Sequence, residues 1–394
     1  MTRRAVIVSA ARTPVGNFGS AFRDVSATKL GVVVAQEVLK RAGVGPEVVD
    51  EVIFGSGGMP IKEANVARQI ALFAGFPESV SAFSVQRNCA ASLQAVASAT
   101  QAILLGDGDV YLAGGTENMS QAPYFVAGAR WGLRLRHTTF EDSLWCGLTD
   151  PYAGMLMGET AENLAEKYGI SRREQDEHAV GSHNKAFRAQ RMGKFKEEIV
   201  PVTVPRSRGQ EDVVVQDEGP MAGLSVERLA MAPTVFKKDG TVTPGNACPM
   251  NDAASAVLLM SEEKARSFGL APLAYIKSYG FAGVDPKIMG IGPVASTAVA
   301  LKRAGLKMED IGLIEINEAF AAQYLACQRE MGFSHDIANV NGGGIALGHP
   351  IGATGTRLIN TLVYEMRRRS VKYGLATMCV GGGQGGSVIV ELPE

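Results

Sequence analysis

Short apolar runs alternate with segments of helical periodicity over the first part of the chain. Four runs have the length and apolar content of buried strands: residues 5–10, 51–55, 81–85 and 110–113. Three segments carry apolar residues at helical spacing: residues 28–42, 65–73 and 90–105. This βαβα order predicts a mostly parallel sheet with helices on both faces.

The alternation stops between residues 120 and 246. This stretch contains a basic segment at residues 130–139, an amphipathic helix at 158–168 and a charged helix that opens at Ser171. Ser171 and Glu174 form an S-x-x-E capping-box pattern. A connection this long between two α/β parts is usually functional, so we expect an inserted lid over the first sheet.

The α/β pattern resumes at residues 253–260 and continues with a second set of strands and helices. In the first part, Cys89 precedes a helix, and the next strand ends in Gly114-Gly115. In the second part, His349 precedes a helix, and the following strand ends near Gly381. Two similar halves would bring both helix N-termini close to a pseudo-twofold axis.

Composition narrows the functional classes. The 394 residues include 39 Lys+Arg and 40 Asp+Glu, and a formal charge of -1 gives no electrostatic reason to expect a nucleic-acid or membrane partner. No apolar stretch approaches the roughly 20 residues of a membrane span. Five cysteines without a CxxC pair argue against a disulfide framework or a zinc site, and for reduced thiols in the cytoplasm. The 46 glycines, many in clusters, indicate a site built from backbone.

The first candidate for chemistry is Cys89, in the sequence Asn88-Cys89-Ala90 between a strand and a helix. The positive end of a helix dipole lowers the pKa of a nearby thiol, which favours a nucleophilic thiolate. The alternative is a small buried apolar cysteine, which is the commoner role of a lone cysteine.

The second candidate is His349, which follows a run of glycines and precedes Pro350. Proline suits the first turn of a helix, so we expect His349 at or near a helix N-cap. Such a histidine can act as a general base or donate a hydrogen bond to an oxyanion. The alternative is a structural histidine.

Two further candidates lie at the ends of predicted strands. Cys379 opens a glycine turn that includes Gly381, so we expect an accessible thiol among free amides that can form an oxyanion hole. The alternative is a glycine-rich hairpin with an incidental cysteine. Asn317 and Glu318 follow an apolar strand, where open α/β sheets place ligands. The alternative for Asn317 is a helix N-cap.

These motifs, in this order, resemble one family along essentially the whole chain. The blocks that carry the resemblance are NCAAS, GGTENMS, MGETAEN, DGTVTPGNA, NEAFAAQ, NGGGIALGHPIGATG and CVGGGQGG. They resemble the thiolases, and among these the members that form acetoacetyl-CoA (acetyl-CoA acetyltransferases). Related condensing enzymes typically have a histidine at the position of Cys379, so that cysteine favours a thiolase.

The resemblance implies a fold as well. We expect an α/β thiolase fold with two similar βαβαβαββ halves in a five-layered α-β-α-β-α arrangement. The expected boundaries place the first half at residues 1–120, completed by 248–272. An inserted loop domain that covers coenzyme A (CoA) follows at 121–247, and the second half at 273–394.

The resemblance also assigns roles to residues. Cys89 is expected to become acetylated by acetyl-CoA with His349 as its base. Cys379 is expected to remove a proton from a second acetyl-CoA, whose enolate rests on His349 and a water held by Asn317. The amides of Cys89 and Gly381 would hold the oxyanion of the condensation step. The products are acetoacetyl-CoA and CoA, the reverse reaction is thiolysis, and neither a cofactor nor a metal is expected.

The residues expected to contact CoA come from the same comparison of motifs: Leu148, Met157, Phe236, Ala247, Cys248, Ala319 and Phe320. Four positions depart from the family pattern. Ser92 stands where glycine is common, Cys248 where serine is usual, Leu156 where histidine is common and Met221 where many members have a basic residue. These changes concern CoA contacts and acyl chain length.

Three alternative functions remain at this stage. The first is a 3-ketoacyl-CoA thiolase of longer-chain fatty-acid degradation. The second is a condensing enzyme that extends a chain decarboxylatively from a malonyl donor. The third is a binding protein on an inactive thiolase fold.

The resemblance further implies a homotetramer built from two tight dimers. Residues 81–85 are apolar enough that an unpaired edge strand is unfavourable, and the corresponding strand in the family pairs with its twofold mate. Residues 130–145 match the segment that joins dimers. The alternatives are that Trp131 and Trp145 pack inside the inserted domain, or that the assembly stops at a dimer.

Overall fold

The computed structural model describes residues 3–58, 62–135, 137–205 and 209–393. Its strands, in chain order, are β1 (Ala5–Arg12), β2 (Gly16–Asn17), β3 (Glu51–Gly55), β4 (Ser81–Val85), β5 (Val110–Asn118), β6 (Tyr124–Phe125), β7 (Glu141–Asp142), β8 (Thr149–Asp150), β9 (Met155–Leu156), β10 (Val202–Pro205), β11 (Glu211–Val214), β12 (Asn251–Ser261), β13 (Ala274–Gly283), β14 (Leu313–Ile316), β15 (Tyr373–Val380) and β16 (Gln384–Glu391). Its α-helices are α1 (Ala27–Ala42), α2 (Val66–Phe73), α3 (Ala91–Leu105), α4 (Ser143–Gly147), α5 (Met157–Tyr168), α6 (Arg172–Arg191), α7 (Val226–Ala230), α8 (Glu262–Ser267), α9 (Gly292–Ala304), α10 (Ala321–Met331), α11 (Gly344–Leu347) and α12 (Thr354–Arg369).

The main sheet has the strand order β14-β15-β16-β13-β1-β12-β5-β3-β4, with β2 attached to β12. Its parallel pairs among the described strands are β3–β4, β3–β5 and β14–β15, and its other pairs are antiparallel. The prediction of a mostly parallel sheet is therefore wrong. The reason is that β12 returns beside β5 after the insertion and β16 follows β15 through a tight turn, and such returns give antiparallel neighbours.

Side chains that alternate along each strand divide the core into layers. On β1, Val6 packs in a cluster with α1 and α2, whereas Ile7 packs in a second cluster with α3 and α12. That second cluster also takes Met378 and Val388 from the inner face of β15 and β16. A third cluster places α9 and α10 against the outer face of β14–β16. The order is α-β-α-β-α, which confirms the five-layered fold.

The two halves meet where α3 and α12 begin. The Thr356 amide donates a hydrogen bond to Ser92 Oγ at 3.1 Å, and both residues are buried. A methyl group at Gly115 would lie 2.6 Å from Ser92 Cβ and would also strike the carbonyl of Gly352. Glycine is therefore required at 115, and Ser92 adds a hydrogen bond between the halves at the position where the family more often has glycine.

The insertion joins β5 to β12, which are antiparallel neighbours in the sheet. It is tied to the sheet by Arg12 on β1, which forms ion pairs with Glu198 at 2.7 Å and Asp217 at 2.6 Å. All three side chains are buried. Removing one partner of such a group costs about 3–5 kcal/mol, so this part of the insertion is fixed to the sheet.

Replacing Gly115 with alanine should lower the free energy of unfolding by about 2–3 kcal/mol, because backbone atoms of the other half cannot move aside. Gly181→Ala is the matched control. Gly181 lies inside α6 with nothing within 4 Å of an added methyl group, so alanine should stabilise by about 0.5–1 kcal/mol through helix propensity. Urea denaturation at one protein concentration measures the free energy of unfolding of both variants. Equal changes in the two variants would contradict the proposed contact between the halves at Gly115.

Candidate active site

Cys89 lies on a sharp turn between β4 and α3. Asn88 adopts a φ of 44°, a left-handed conformation that is uncommon outside glycine. Its side-chain amide donates a hydrogen bond to the Gly381 carbonyl at 2.9 Å. The turn therefore fixes the half-buried Cys89 against a loop of the other half.

Burial raises the pKa of the Cys89 thiol, while the backbone amides of Gly381 and Cys89 itself lower it and the charge of Glu117 raises it further. The expectation of a lowered thiol pKa is wrong. Burial outweighs the two amides, and α3 begins only at Ala91. The resting residue is a neutral thiol that needs a base.

The glycine turn after Cys379 is a hairpin that connects β15 to β16. Gly382 and Gly383 adopt φ values of 89° and 75°, which L side chains rarely reach. Before them, the amide of Gly381 faces the sulfur of Cys89. The predicted glycine hairpin is thus present, and it places the amide of Gly381 beside Cys89.

Cys379 is only 1% exposed, so the expectation of an accessible cysteine is wrong. It lies inside an apolar cluster at the end of β15. Burial raises the pKa of its thiol well above the usual value, and the neighbouring sulfurs of Cys89, Cys327 and Cys248 act in the same direction. Cys379 is therefore a neutral thiol close to Cys89.

His349 does not cap a helix. Its helix, α12, begins at Thr354, and Pro350 instead accepts hydrogen bonds from the amides of Ala353 and Thr354 in an intervening turn. The main chain of His349 is held by Asn251, whose Oδ1 accepts from the His349 amide at 3.0 Å. The prediction that Pro350 opens the helix is wrong, because the turn from Pro350 to Ala353 separates Pro350 from the start of α12.

The imidazole of His349 is neutral. Burial, assisted by the charge of Arg357, lowers its pKa to about 3. The Thr354 hydroxyl donates to the Pro350 carbonyl at 2.8 Å and lies 2.7 Å from His349 Nδ1. A hydroxyl has one proton, so with that proton on the Pro350 carbonyl we assign Nδ1 as the donor to Thr354 Oγ1. Nε2 then carries the lone pair, and it is buried without a hydrogen-bond partner among the described residues.

Asn317 follows β14, and its amide donates to the Thr377 carbonyl on β15 at 2.9 Å. The alternative of a helix N-cap is wrong, since the cap of α10 is Phe320. Within the described part of the chain, both polar atoms of the Asn317 side chain are buried without a hydrogen-bond partner. Leaving such atoms unpaired costs about 1–3 kcal/mol each, which marks a place for a water or substrate atom.

Glu318, next to Asn317, organises the loop that precedes His349. It accepts hydrogen bonds from Ser182 Oγ at 2.7 Å, Asn339 Nδ2 at 2.8 Å and the Ile345 amide at 3.2 Å. Burial alone would raise its pKa, but the charge of His178, 3.2 Å away, and these hydrogen bonds lower it to about 2. Glu318 is therefore an anion that holds the loop before His349 in place through these hydrogen bonds.

The residues expected to contact CoA lie together. Six of them share one apolar cluster with Cys379: Met157, Phe236, Ala247, Cys248, Ala319 and Phe320. The rings of Phe236 and Phe320 meet edge to face at 6.2 Å. Leu148 joins this group because its carbonyl accepts from the Met157 amide at 3.0 Å.

A cavity opens beside Cys89. Its apolar wall includes Met119, Leu144, Leu148 and Met157, and its polar wall includes Glu117. Ile351, two residues after His349, also lines it. The loop that carries His349 therefore reaches the cavity that Cys89 opens into.

Sequence reasoning did not assign Asn88, Glu117, Asn251 or Thr354. Three of them stood inside quoted motifs: Asn88 in NCAAS, Glu117 in GGTENMS, and Thr354 five residues after His349. For Asn251 the sequence holds no comparable signal, because its contact with His349 joins residues 98 positions apart.

The described ranges contain no helix that is long and apolar enough to cross a membrane. No group of three or more His, Cys, Asp or Glu side chains in them is arranged to hold a metal ion.

Comparison with known proteins decides the family. The model of the thiolase N-terminal domain matches residues 5–263, and that of the thiolase C-terminal domain matches residues 270–392. The chain belongs to the thiolase family. An acetyl-CoA acetyltransferase of Syntrophomonas wolfei is 48% identical over 397 residues, which covers 99% of this chain and 100% of the relative.

Two solved thiolase-family structures are closely similar. The Bacillus anthracis acetyl-CoA acetyltransferase has a TM-score of 0.98 and 47% identity, covering 100% of this chain and 99% of its own. Human mitochondrial 3-ketoacyl-CoA thiolase has a TM-score of 0.97 and 42% identity, with 100% of both chains covered.

Thr354→Val should lower the rate of Cys89 acylation on the order of 10- to 100-fold, because His349 loses the acceptor that fixes its tautomer. Thr356→Val is the control: that hydroxyl is equally buried but bonds the carbonyls of Ser255 and Ala353. Stopped-flow detection of CoA release measures the acylation rate of each variant, and thermal denaturation measures its stability. Equal losses of acylation in both variants would contradict the tautomer assignment.

Proposed function

We propose that this protein is an acetyl-CoA C-acetyltransferase. It joins two acetyl-CoA molecules into acetoacetyl-CoA and CoA, and it catalyses the reverse thiolysis, through an acetyl-Cys89 intermediate. The observation that carries this proposal is the proximity of two neutral thiols: the buried Cys379 lies close enough to Cys89 to act on it electrostatically, and the amide of Gly381, two residues later, faces the Cys89 sulfur. CoA thioesters are substrates, and no cofactor or metal has a step to perform.

In the first half-reaction, Cys89 attacks the carbonyl carbon of acetyl-CoA. Nε2 of His349 takes the thiol proton, since its lone pair has no other partner. The carbon–sulfur bond to CoA breaks, and the proton passes to the departing CoA sulfur. Acetyl-Cys89 and neutral CoA remain, so atoms and charge balance.

In the second half-reaction, the proton of Cys379 moves to His349 Nε2. Burial keeps both groups neutral at rest. The Cys379 thiolate and the His349 imidazolium therefore form only when a thioester oxygen is present to take up the negative charge. The Cys379 thiolate then takes a proton from the methyl carbon of the second acetyl-CoA. The protonated Nε2 and a water on Asn317 support the enolate oxygen.

The enolate attacks the acetyl carbon on Cys89, and the tetrahedral oxyanion rests on the amides of Cys89 and Gly381. The carbon–sulfur bond to Cys89 breaks, and His349 returns its proton to that sulfur. Cys379 keeps the proton from the methyl group, so the enzyme ends in its starting state.

A second candidate is thiolysis of longer 3-ketoacyl-CoA substrates. The observation in its favour is the cavity beside Cys89, whose wall of Met119, Leu144 and Leu148 has room for apolar atoms beyond an acetyl group. Thiolysis rates for acetoacetyl-CoA and for longer 3-ketoacyl-CoAs separate the two. A malonyl-CoA assay beside acetyl-CoA tests decarboxylative condensation.

We further propose a homotetramer made of two dimers. β4 lies at the end of the main sheet without a second neighbour among the described strands, which suits pairing with its twofold mate. In the single chain Trp131 is 85% exposed and Trp145 62%, so they do not pack inside the insertion. Arg136, in the same segment, lies outside the described residues.

We place this chemistry in the cytoplasm, because both half-reactions need reduced thiols and all five cysteines are unpaired. The near-neutral charge supports neither a nucleic-acid nor a membrane partner.

Cys379→Ala should still acetylate Cys89 but should lose condensation, and with it hydrogen–deuterium exchange at the acetyl-CoA methyl, on the order of 100-fold or more. Labelled acetyl-CoA with peptide mapping reports the first step, and NMR reports the exchange. Cys327→Ala, another buried thiol, should behave as the unmodified protein. Label on Cys379 or Cys248 in place of Cys89 would contradict the mechanism.

Replacing Trp131 and Leu135 together with glutamate should convert a tetramer into an active dimer, because both are more than four-fifths exposed in the single chain and a charge cannot be buried in an apolar contact. Met231→Glu, at another exposed apolar residue, is the control. Light scattering at assay concentration gives the mass. A monomer before mutation rejects the assembly, and a tetramer after it rejects this contact.

A further inference from the structure

Glu117 is a buried carboxylate beside Cys89 that the proposed mechanism leaves without a role. It lies near the end of β5, is 3% exposed and lines the same cavity as Cys89. A buried carboxylate is costly unless its oxygens are satisfied, so its partners indicate what it is for.

The carboxylate joins two loops from different halves of the fold. Its oxygens accept from the amides of Gly57 at 2.6 Å and Gly58 at 3.2 Å, in the loop after β3. One oxygen also accepts from the amide of Gly352 at 2.9 Å, in the loop that carries His349. A single side chain thus connects the first half to the histidine loop of the second.

The glycines at these positions allow the close approach. A methyl group at Gly352 would lie 2.8 Å from Glu117 Oε2 and 2.5 Å from the Thr116 carbonyl. At Gly57 it would lie 3.0 Å from the same carboxylate oxygen and would strike the side chain of Ile351. The glycine cluster before residue 59 therefore serves this contact.

Every partner of Glu117 among the described residues is a donor. Besides the three amides, the Ser56 hydroxyl lies 3.4 Å from Oε1. Burial raises the pKa of Glu117 above its usual value, and these four donors offset only part of that rise. A protonated carboxyl would turn its hydrogen toward a donor, so the arrangement favours the anion.

Among the described residues, Glu117 is the anionic neighbour of Cys89, because the other titratable groups around Cys89 are neutral. Cys248 and Cys379 are thiols whose pKa values burial raises, and His349 is neutral with Arg357 behind it. The Glu117 charge acts on the Cys89 thiol and opposes its ionisation.

We propose that Glu117 is a positioning residue with two effects. It clamps the His349 loop to the loop after β3, and its charge keeps Cys89 protonated at rest while favouring the imidazolium that forms when His349 takes the thiol proton. The second effect makes proton transfer coincide with substrate attack. This inference rests on the proposed roles of Cys89 and His349.

Glu117→Gln keeps the shape and removes the charge. The pH midpoint of Cys89 alkylation by iodoacetamide, followed on the Cys89 peptide by mass spectrometry, should fall by about 0.5–1 unit, because an opposing charge is gone. The kcat for condensation should drop about 10-fold or more, whereas KM for acetyl-CoA should change less than about 3-fold. An unchanged midpoint would overturn the electrostatic role.

Glu117→Asp keeps the charge but withdraws the oxygens from the amides. Its kcat should fall as far as that of Glu117→Gln, with the alkylation midpoint unchanged, and a full kcat would overturn the clamp. This variant also decides the clamp if Glu117→Gln does not fold. Asp50→Asn is the control, since Asp50 holds the amides of Asp109 and Val110 at the opposite end of β5; it should change neither value.

The two proposals fail in different ways. Alkylation reports the Cys89 thiol without turnover, so its midpoint shift is measurable even if acetyl-Cys89 never forms. Absence of acetyl-Cys89 in the unmodified protein would reject the proposed function, whereas loss of the midpoint shift with normal acetylation would reject the role of Glu117 alone.

Discussion

The site depends on the close backbone contact between the two halves in the middle helical layer. Gly115 meets Gly352 without room for a side chain, and the Thr356 amide bonds Ser92 Oγ. This contact sets the start of α3 against the start of α12. Because the loops before these helices carry Cys89 and His349, packing between the halves determines the geometry in which a nucleophile and a base can act together.

Burial then determines the charge state of that geometry. It raises the pKa of Cys89 and Cys379 and lowers that of His349 to about 3. The reacting groups are neutral until a thioester brings an oxygen that can take negative charge. Such a site differs from a resting thiolate–imidazolium pair. In the proposed mechanism its ions form only during the reaction, and the amide of Gly381 and the side chain of Asn317 are the groups proposed to stabilise them.

Local patterns in the sequence were sufficient for most positions of strands and helices, and they marked Cys89, Cys379 and Asn317 as candidates because each stands beside a recognisable element end. The residues of the CoA group came from the resemblance to the family. What they could not supply was set by long-range packing. The antiparallel returns of β12 and β16, the turn between His349 and α12, and the burial that reverses the expected pKa of Cys89 all depend on neighbours far along the chain.

The protonation state of His349 at rest is the most direct test of this account. The protein contains five histidines, so nitrogen-15 NMR of histidine-labelled protein, with His349→Asn to assign the signal, can follow this ring alone. We expect a neutral imidazole with its proton on Nδ1 at pH 7, unchanged down to about pH 5. An imidazolium signal at pH 7 without substrate would show a resting ion pair and would contradict it.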